Sequence, residues 1–265
     1  MRISIIQSSL FWEKPEANRR MFGEKLASLQ GNTDLVVLPE MFTTGFTMNA
    51  EPLAEPMNGR TMNWLLENAQ RLNAAVTGSF ICENEGKYFN RLVFMRPDGQ
   101  FDFYDKKHLF TLATENEYFS AGKKRLIVDW MGWRICPLIC YDLRFPAWSR
   151  NTTGSIVGGL NPYYDVLLYV ANWPNRRAHH WRSLLTARAI ENQSFVIGVN
   201  VAGADGNGFE YSGDSAIIDY SGQSLAHISD GKEGIETIDL SLKDLRNFRQ
   251  QLPFLADADL FEFKG

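Results

Sequence analysis

The stretch LICYDLRFP, residues 138–146, decides how this chain is read. It closes the apolar run WRICPLIC (133–140) on a thiol and passes at once into Asp142, Arg144 and Pro146. Side chains alternate along a strand, so Cys136 and Cys140 share a face, but Cys136 lies inside the run and Cys140 at its end. A free cysteine is more often a small buried hydrophobe than a nucleophile, and for Cys136 and Cys82 that reading stands. At Cys140 two readings compete: a core thiol at a strand end, or a nucleophile at the mouth of a pocket.

Outward from this stretch, apolar runs of strand length recur. The pattern predicts strands near 2–8, 34–39, 75–83, 87–96, 101–105, 125–129, 133–140, 165–171, 194–200, 214–219, 224–228 and 235–239. Helices are predicted near 15–30, 60–74, 176–192 and 241–250. So many strands need two sheets. The opening strand–helix alternation gives parallel pairing, whereas the turn-sized gaps NEG (84–86), PDGQ (97–100) and MG (131–132) force antiparallel neighbours, so the sheets are mixed. In the helix at 176–192, Trp181, Leu184, Leu185 and Arg188 fall on one face, and Glu191 lies one turn beyond Arg188. It leads into SFVIGVN (194–200), a run of the kind found in sheets covered on both faces. The segment NTTGSIVGGLNP (151–162) has no periodicity and reads as a surface loop, close enough in sequence to Cys140 to cover a pocket. Residues 1–265 are expected to form a single domain.

The chain of 265 residues is 45% hydrophobic with a formal net charge of -4. It carries no basic footprint for nucleic acid or anionic membrane, so a small molecule is the expected partner. The opening MRISIIQ turns polar too soon for a signal-peptide core, and no apolar run approaches the roughly 18 residues of a membrane helix. A cytoplasmic protein is expected. Cys82, Cys136 and Cys140 form an odd, sparse set without C-x-x-C spacing, which argues against disulfides and a structural metal.

Two further segments carry chemistry. In DLVVLPEMF (34–42) an apolar strand delivers Glu40 to its C-terminal end, where open α/β sheets bind ligands; a carboxylate beside apolar neighbours suits general-base work. In YDKKHLF (104–110), a lysine turned inward would give a fixed positive charge for a developing oxyanion, although periodicity does not choose between Lys106 and Lys107. Four histidines, His108, His179, His180 and His227, are available to a thiol, but no papain-like signature surrounds Cys140, and no G-x-S-x-G elbow occurs.

Taken in order, PEMF (39–42), KKHLF (106–110) and CYDLRFP (140–146) resemble the three signature blocks of the nitrilase superfamily, the carbon-nitrogen hydrolases. VANWP (170–174) and LTARAIEN (185–192) resemble its later segments, so the likeness covers essentially the whole chain. The resemblance implies an α/β fold, a four-layer α-β-β-α sandwich of two mixed sheets flanked by helices, dimerising through its helical layers into a homodimer. It implies a cofactor-free, metal-free enzyme with Glu40, Lys106 and Cys140 as the catalytic set. The lysine two positions before His in K-x-H-L-F is Lys106. A second glutamate comes from TENEYFSAG (114–122); spacing to Gly122 favours Glu115, with Glu117 also available.

The D-L-R-F-P and A-N-W-P wording is most similar to the omega-amidase branch, whose members hydrolyse the terminal amide of 2-oxoglutaramate and 2-oxosuccinamate. The same is expected here through a Cys140 thioester, with N-carbamoyl amino acid hydrolysis, nitrile hydrolysis or a non-catalytic binding role as alternatives. On this reading Lys106 and the Tyr141 backbone N–H face the oxyanion, Arg144 clamps a substrate carboxylate, and Trp173 walls the pocket. The competing expectation is that Arg144 pairs with Asp142 or Glu191.

Overall fold

Side-chain alternation in β1 (Arg2–Gln7) sends Ile3 and Ile5 into one buried apolar cluster and Ile6 into another, and this division sets up the layers. The same alternation recurs in β2 (Leu35–Val37), where Leu35 and Val37 share a cluster with Ile3 and Val36 joins Ile6. A computed structural model describes residues 1–151 and 162–259; the 151–162 loop and its role as a pocket cover lie almost wholly outside the described residues.

The first sheet continues through β3 (Ala75–Asn84), β4 (Lys87–Met95) and β5 (Phe101–Asp105). Next come β6 (Val128–Trp130), β7 (Trp133–Ile139), β8 (Val166–Ala171) and β9 (Phe195–Asn200). A short hairpin of β10 (Ala202–Ala204) and β11 (Glu210–Ser212) precedes β12 (Ala216–Ile218), β13 (Ser224–His227) and β14 (Gly234–Asp239). Among the described residues the first sheet runs β14-β1-β2-β3-β4-β5 and the second β13-β12-β9-β8-β7-β6. Each has a parallel centre, β1-β2-β3 in one and β7-β8-β9 in the other, with antiparallel neighbours on both flanks.

The two sheets face one another across a shared core. Ile5, Val37, Leu92 and Phe94 of the first pack in one cluster with Ile135, Leu138, Leu168 and Ile197 of the second. The outer side of the first sheet is covered by helices Pro15–Ala27 and Arg60–Leu72, whose Phe22, Leu26, Leu65 and Ala69 join Val36 and Val76. Helices Ala178–Asn192 and Leu242–Gln251 cover the second, through Trp181, Leu185 and Leu245. The result is the α-β-β-α sandwich.

Several boundaries move for identifiable reasons. Ladder pairing in β2 stops at Val37 rather than near 39, because Pro39 has no N–H to offer a neighbouring strand. The predicted strand at 125–129 is paired only over Val128–Trp130. The helix expected from 176 begins at Ala178, after a 3-10 turn over Asn175–Arg177. At the NEG and MG gaps, Glu85–Gly86 and Met131–Gly132 have positive φ at both positions, the mirror-image turn that matches strand twist. No helix among the described residues is long and apolar enough to cross a membrane.

Gly122 ties this scaffold to the end of β5. Its N–H donates to the Lys106 carbonyl at 2.9 Å. A Cβ there would lie 2.0 Å from the Asp105 carbonyl oxygen, which only a backbone shift could relieve. Gly122→Ala is expected to destabilise the fold by about 1–3 kcal/mol and to lower turnover by displacing Lys106; urea denaturation and an activity assay on the same preparation check both.

Candidate active site

Four strand ends converge on one place. Beyond β2 the chain turns through Met41, at φ 43, whose N–H donates to Ser79 Oγ at 2.8 Å, and this turn points Glu40 inward at zero exposure. Beyond β5, the Lys106 N–H donates to the Asn90 carbonyl at 3.0 Å, which extends the pairing by one residue and turns its side chain into the interior. Lys107 points elsewhere, its ammonium 5.4 Å from the centre of the Trp148 ring. Sequence periodicity left this choice open; Lys106 is the buried lysine.

Lys106 Nζ donates to Glu40 Oε1 at 2.9 Å and to both carboxylate oxygens of Glu115, at 3.0 and 2.9 Å. Glu115 opens the short helix Glu115–Tyr118 and also accepts the Phe110 N–H at 2.6 Å, whereas Glu117 is exposed. Asn90 Nδ2 donates to Glu40 Oε1 at 2.8 Å. From the second sheet, the Asn172 N–H donates to Glu40 Oε2 at 2.7 Å, and Asn172 Nδ2 to the Glu40 carbonyl at 2.6 Å. Both Glu40 oxygens are therefore fixed.

Burial alone would strip Lys106 of its charge, but the adjacent Glu115 and Glu40 outweigh it and raise its pKa above the usual lysine range. Lys106 is a permanent ammonium at neutral pH. Burial raises Glu115, opposed by Lys106 and reinforced by the charge of Glu40.

Cys140 sits where β7 gives way to the 3-10 turn Cys140–Arg144, at φ 43, a strained conformation for a residue with a Cβ. It is partly exposed, unlike buried Cys82 and Cys136, and its Sγ lies 4.0 Å from the Asn172 carbonyl. Burial, then the charge of Glu40, push its thiol well above the ordinary value, with Lys106 pulling the other way. Beneath the turn, the fully buried Asp142 accepts from the Ile139 N–H at 3.1 Å, the His108 N–H at 3.0 Å and the Tyr104 hydroxyl at 2.7 Å. His108 Nδ1 lies 2.7 Å from the same carboxylate. Asp142 thus ties the Cys140 turn to the Lys106 segment.

Above these groups opens a cavity of about 460 Å³ lined by Cys140, Tyr141, Arg144, Asn172 and Trp173. Arg144 pairs with neither carboxylate expected to compete for it: Asp142 is occupied as above, and Glu191 bonds Arg188 at 2.9 Å. Its guanidinium lies 4.7 Å from the centre of the buried Trp173 ring and 3.1 Å from His180 Nδ1. From the sequence, Asn90 and Asn172 take no role and Asp142 enters only as a partner for Arg144; a polar residue within the apolar run of β4 was the available signal for Asn90, and membership of the ANWP and CYDLRFP blocks for the others.

The carbon-nitrogen hydrolase family model matches residues 2–250. The chain belongs to the carbon-nitrogen hydrolase family. Over 98% of both chains it is 44% identical to omega-amidase YafV of Escherichia coli strain K12, and over 96% of both it is 34% identical to a 2-oxoglutaramate amidase of Bacillus subtilis. It also superposes on XC1258 of Xanthomonas campestris, a CN-hydrolase superfamily protein with an arsenic adduct in its active site. That likeness has a TM-score of 0.96 and 45% identity, and covers 99% of this chain and 98% of that one. This carbon-nitrogen hydrolase is an enzyme, an amidohydrolase in the omega-amidase branch of the nitrilase superfamily.

In the hydrolase, Cys140 is expected to be alkylated by iodoacetamide ahead of Cys82 and Cys136, because it is partly exposed in the cavity wall whereas the other two thiols are buried away from reagent. Because Glu40 raises the Cys140 thiol, Glu40→Gln removes a negative charge and is expected to shift the alkylation profile of Cys140 toward lower pH. Peptide mapping after timed alkylation across a pH series measures both.

Proposed function

We propose that this hydrolase releases ammonia from the terminal amide of a small carboxylate-bearing 2-oxo acid, of the 2-oxoglutaramate or 2-oxosuccinamate kind. The observation that carries the reading is the buried Lys106, held by Glu40 and Glu115 below a cavity that contains Cys140 and Arg144. The names of the two relatives, an omega-amidase and a 2-oxoglutaramate amidase, support the choice of amide.

A thiol held protonated by burial needs a base at the moment of attack rather than a standing thiolate. Cys140 Sγ bonds to the amide carbon as its proton passes to Glu40, and the carbonyl electron pair moves onto oxygen. That oxyanion faces the Lys106 ammonium and the Tyr141 backbone N–H. Collapse breaks the carbon–nitrogen bond, the proton on Glu40 goes to the departing nitrogen, and ammonia leaves behind a thioester. Glu40 then takes a proton from water as it attacks the thioester, and the thiol is restored. Glu115 holds Lys106 in line; Arg144 takes the substrate carboxylate and Trp173 walls the pocket. The chemistry draws on no cofactor.

The reading takes residues 1–265 as one hydrolase domain, supported by the family match over 2–250. It places the enzyme in the cytoplasm, a reducing compartment that suits three free cysteines. It includes a homodimer formed through the helical layers. Light scattering is expected to give twice the chain mass of 30.2 kDa, and a species at the single-chain mass would remove the dimer.

Ammonia release from 2-oxoglutaramate is expected to be fast in the wild type and to fall roughly 10³-fold or more in Cys140→Ala. An N-carbamoyl amino acid and a simple nitrile, assayed in parallel, are expected to be poor substrates. Turnover that survives Cys140→Ala refutes the thioester, and preference for one of the other substrates moves the enzyme to another branch of the family.

A further inference from the structure

The cavity holds cations that the steps above do not use. Arg176 and Arg177 line it together with Arg144, from the 3-10 turn Asn175–Arg177 that precedes the helix over the second sheet. Among the described residues none of these three arginines has an ion-pair partner. The two acidic side chains in the cavity wall are committed elsewhere. Glu13 accepts from the Thr47 hydroxyl at 2.5 Å and from Asn49 Nδ2 at 3.2 Å. Asp205 accepts from the Asn207 and Phe209 N–H groups at 2.9 and 3.0 Å and from the Tyr211 hydroxyl at 2.9 Å.

Arg177 is the sharpest case. Arg176 is exposed, so water solvates its charge, and Arg144 has His180 and the Trp173 face. The Arg177 guanidinium is half-buried, lies 5.3 Å from the centre of the Phe110 ring, and has no hydrogen-bond acceptor among the described residues. Its main chain is fixed: its carbonyl accepts the Trp173 indole N–H at 2.9 Å and its N–H donates to the Pro174 carbonyl at 2.9 Å. A cation drawn partly out of water without a counter-ion is costly unless an anion completes it. Burial and the charges of Arg176 and Arg144 accordingly disfavour its protonated form.

We infer that Arg177 is a specificity-determining residue whose missing partner is the carboxylate at the far end of the substrate, so that Arg177 and Arg144 together form a two-guanidinium carboxylate arm. The inference rests on the proposed function only for the identity of the amide; the anion arm itself rests on the arginines. A planar fork suits a carboxylate better than a point charge does, and the Phe110 and Trp173 faces keep both forks from folding away.

The test uses glutarate, a dicarboxylate without an amide, titrated calorimetrically into wild type, Arg177→Gln and Arg177→Lys. Glutarate is expected to bind wild type, to bind Arg177→Gln roughly tenfold more weakly, as for loss of one charge-assisted contact, and to recover only in part with Arg177→Lys. On 2-oxoglutaramate the KM of Arg177→Gln is expected to rise by a similar factor, with kcat changing far less. Wild type that does not bind glutarate, or equal binding by wild type and Arg177→Gln, overturns the arm. Wild type that binds glutarate in an Arg177-dependent way yet leaves 2-oxoglutaramate intact supports the arm and removes the proposed amide.

Discussion

Lys106 carries its charge at zero exposure, and an ammonium is tolerable there because Glu40 and Glu115 both lie within hydrogen-bond distance of it. One cation between two carboxylates leaves the buried cluster with an excess of negative charge. Burial first, with the charge of Glu40 added to it and Lys106 opposing, accounts for the electrostatics around it: Glu115 is pushed upward, and the neighbouring thiol keeps its proton. It also fixes the division of labour, since a site that disfavours a resting thiolate requires a base within reach of the thiol. Removal of Lys106 would leave two buried carboxylates without a cation, and removal of either glutamate would take away one of the two partners that hold the ammonium, so the three constrain one another.

Holding such a cluster takes both halves of the sandwich. Glu40 and Lys106 follow strands of the first sheet, Cys140 and Asn172 strands of the second. The two hydrogen bonds between Asn172 and Glu40 cross from one sheet to the other, as do those from Tyr104 and His108 to Asp142. The apolar core between the sheets sets their distance, and these polar bridges at its edge set their register. Asp142 has a double duty here, because the carboxylate that accepts the Ile139 N–H at the strained Cys140 turn is the one that grips the segment just beyond Lys106. Strain at φ 43 persists where surrounding bonds over-determine it.

Two mixed sheets and the charged residues at their strand ends were legible because they are written in local patterns: apolar runs of strand length, turn-sized gaps, and a carboxylate, a lysine and a thiol each closing such a run; the four-layer stacking came from the resemblance to a family. Periodicity alone left Lys106 and Lys107 equal, and the resemblance to a family chose between them; burial then separates the pair. Asn90 and Asn172 were not legible, because their roles depend on strands distant in sequence meeting at Glu40, and an asparagine carries no signature of its own. The β10–β11 hairpin was missed for a different reason. Its strands are three residues each, too short for alternation to register, and they flank the turn that holds Asp205. Arg177 lay in a basic, helix-like segment where solvated arginines are ordinary, and only its place in the cavity marks it out.

Charge in the cavity is distributed along its depth, with an excess of carboxylate behind Cys140 and guanidinium groups around it. A neutral amide with a carboxylate at its far end has one favourable orientation in such a field. Reversed, its anion would approach Glu40 and Glu115 while three arginines faced an uncharged amide. A simple nitrile or a neutral amide has no such handle and would lose the orienting part of its binding, which is the part that brings a carbonyl carbon to Sγ in a productive pose. The acid released from the proposed amide would carry a second carboxylate on the floor side, where the excess negative charge repels it. On the proposed function, the charge distribution that would orient the substrate would therefore also favour departure of the product.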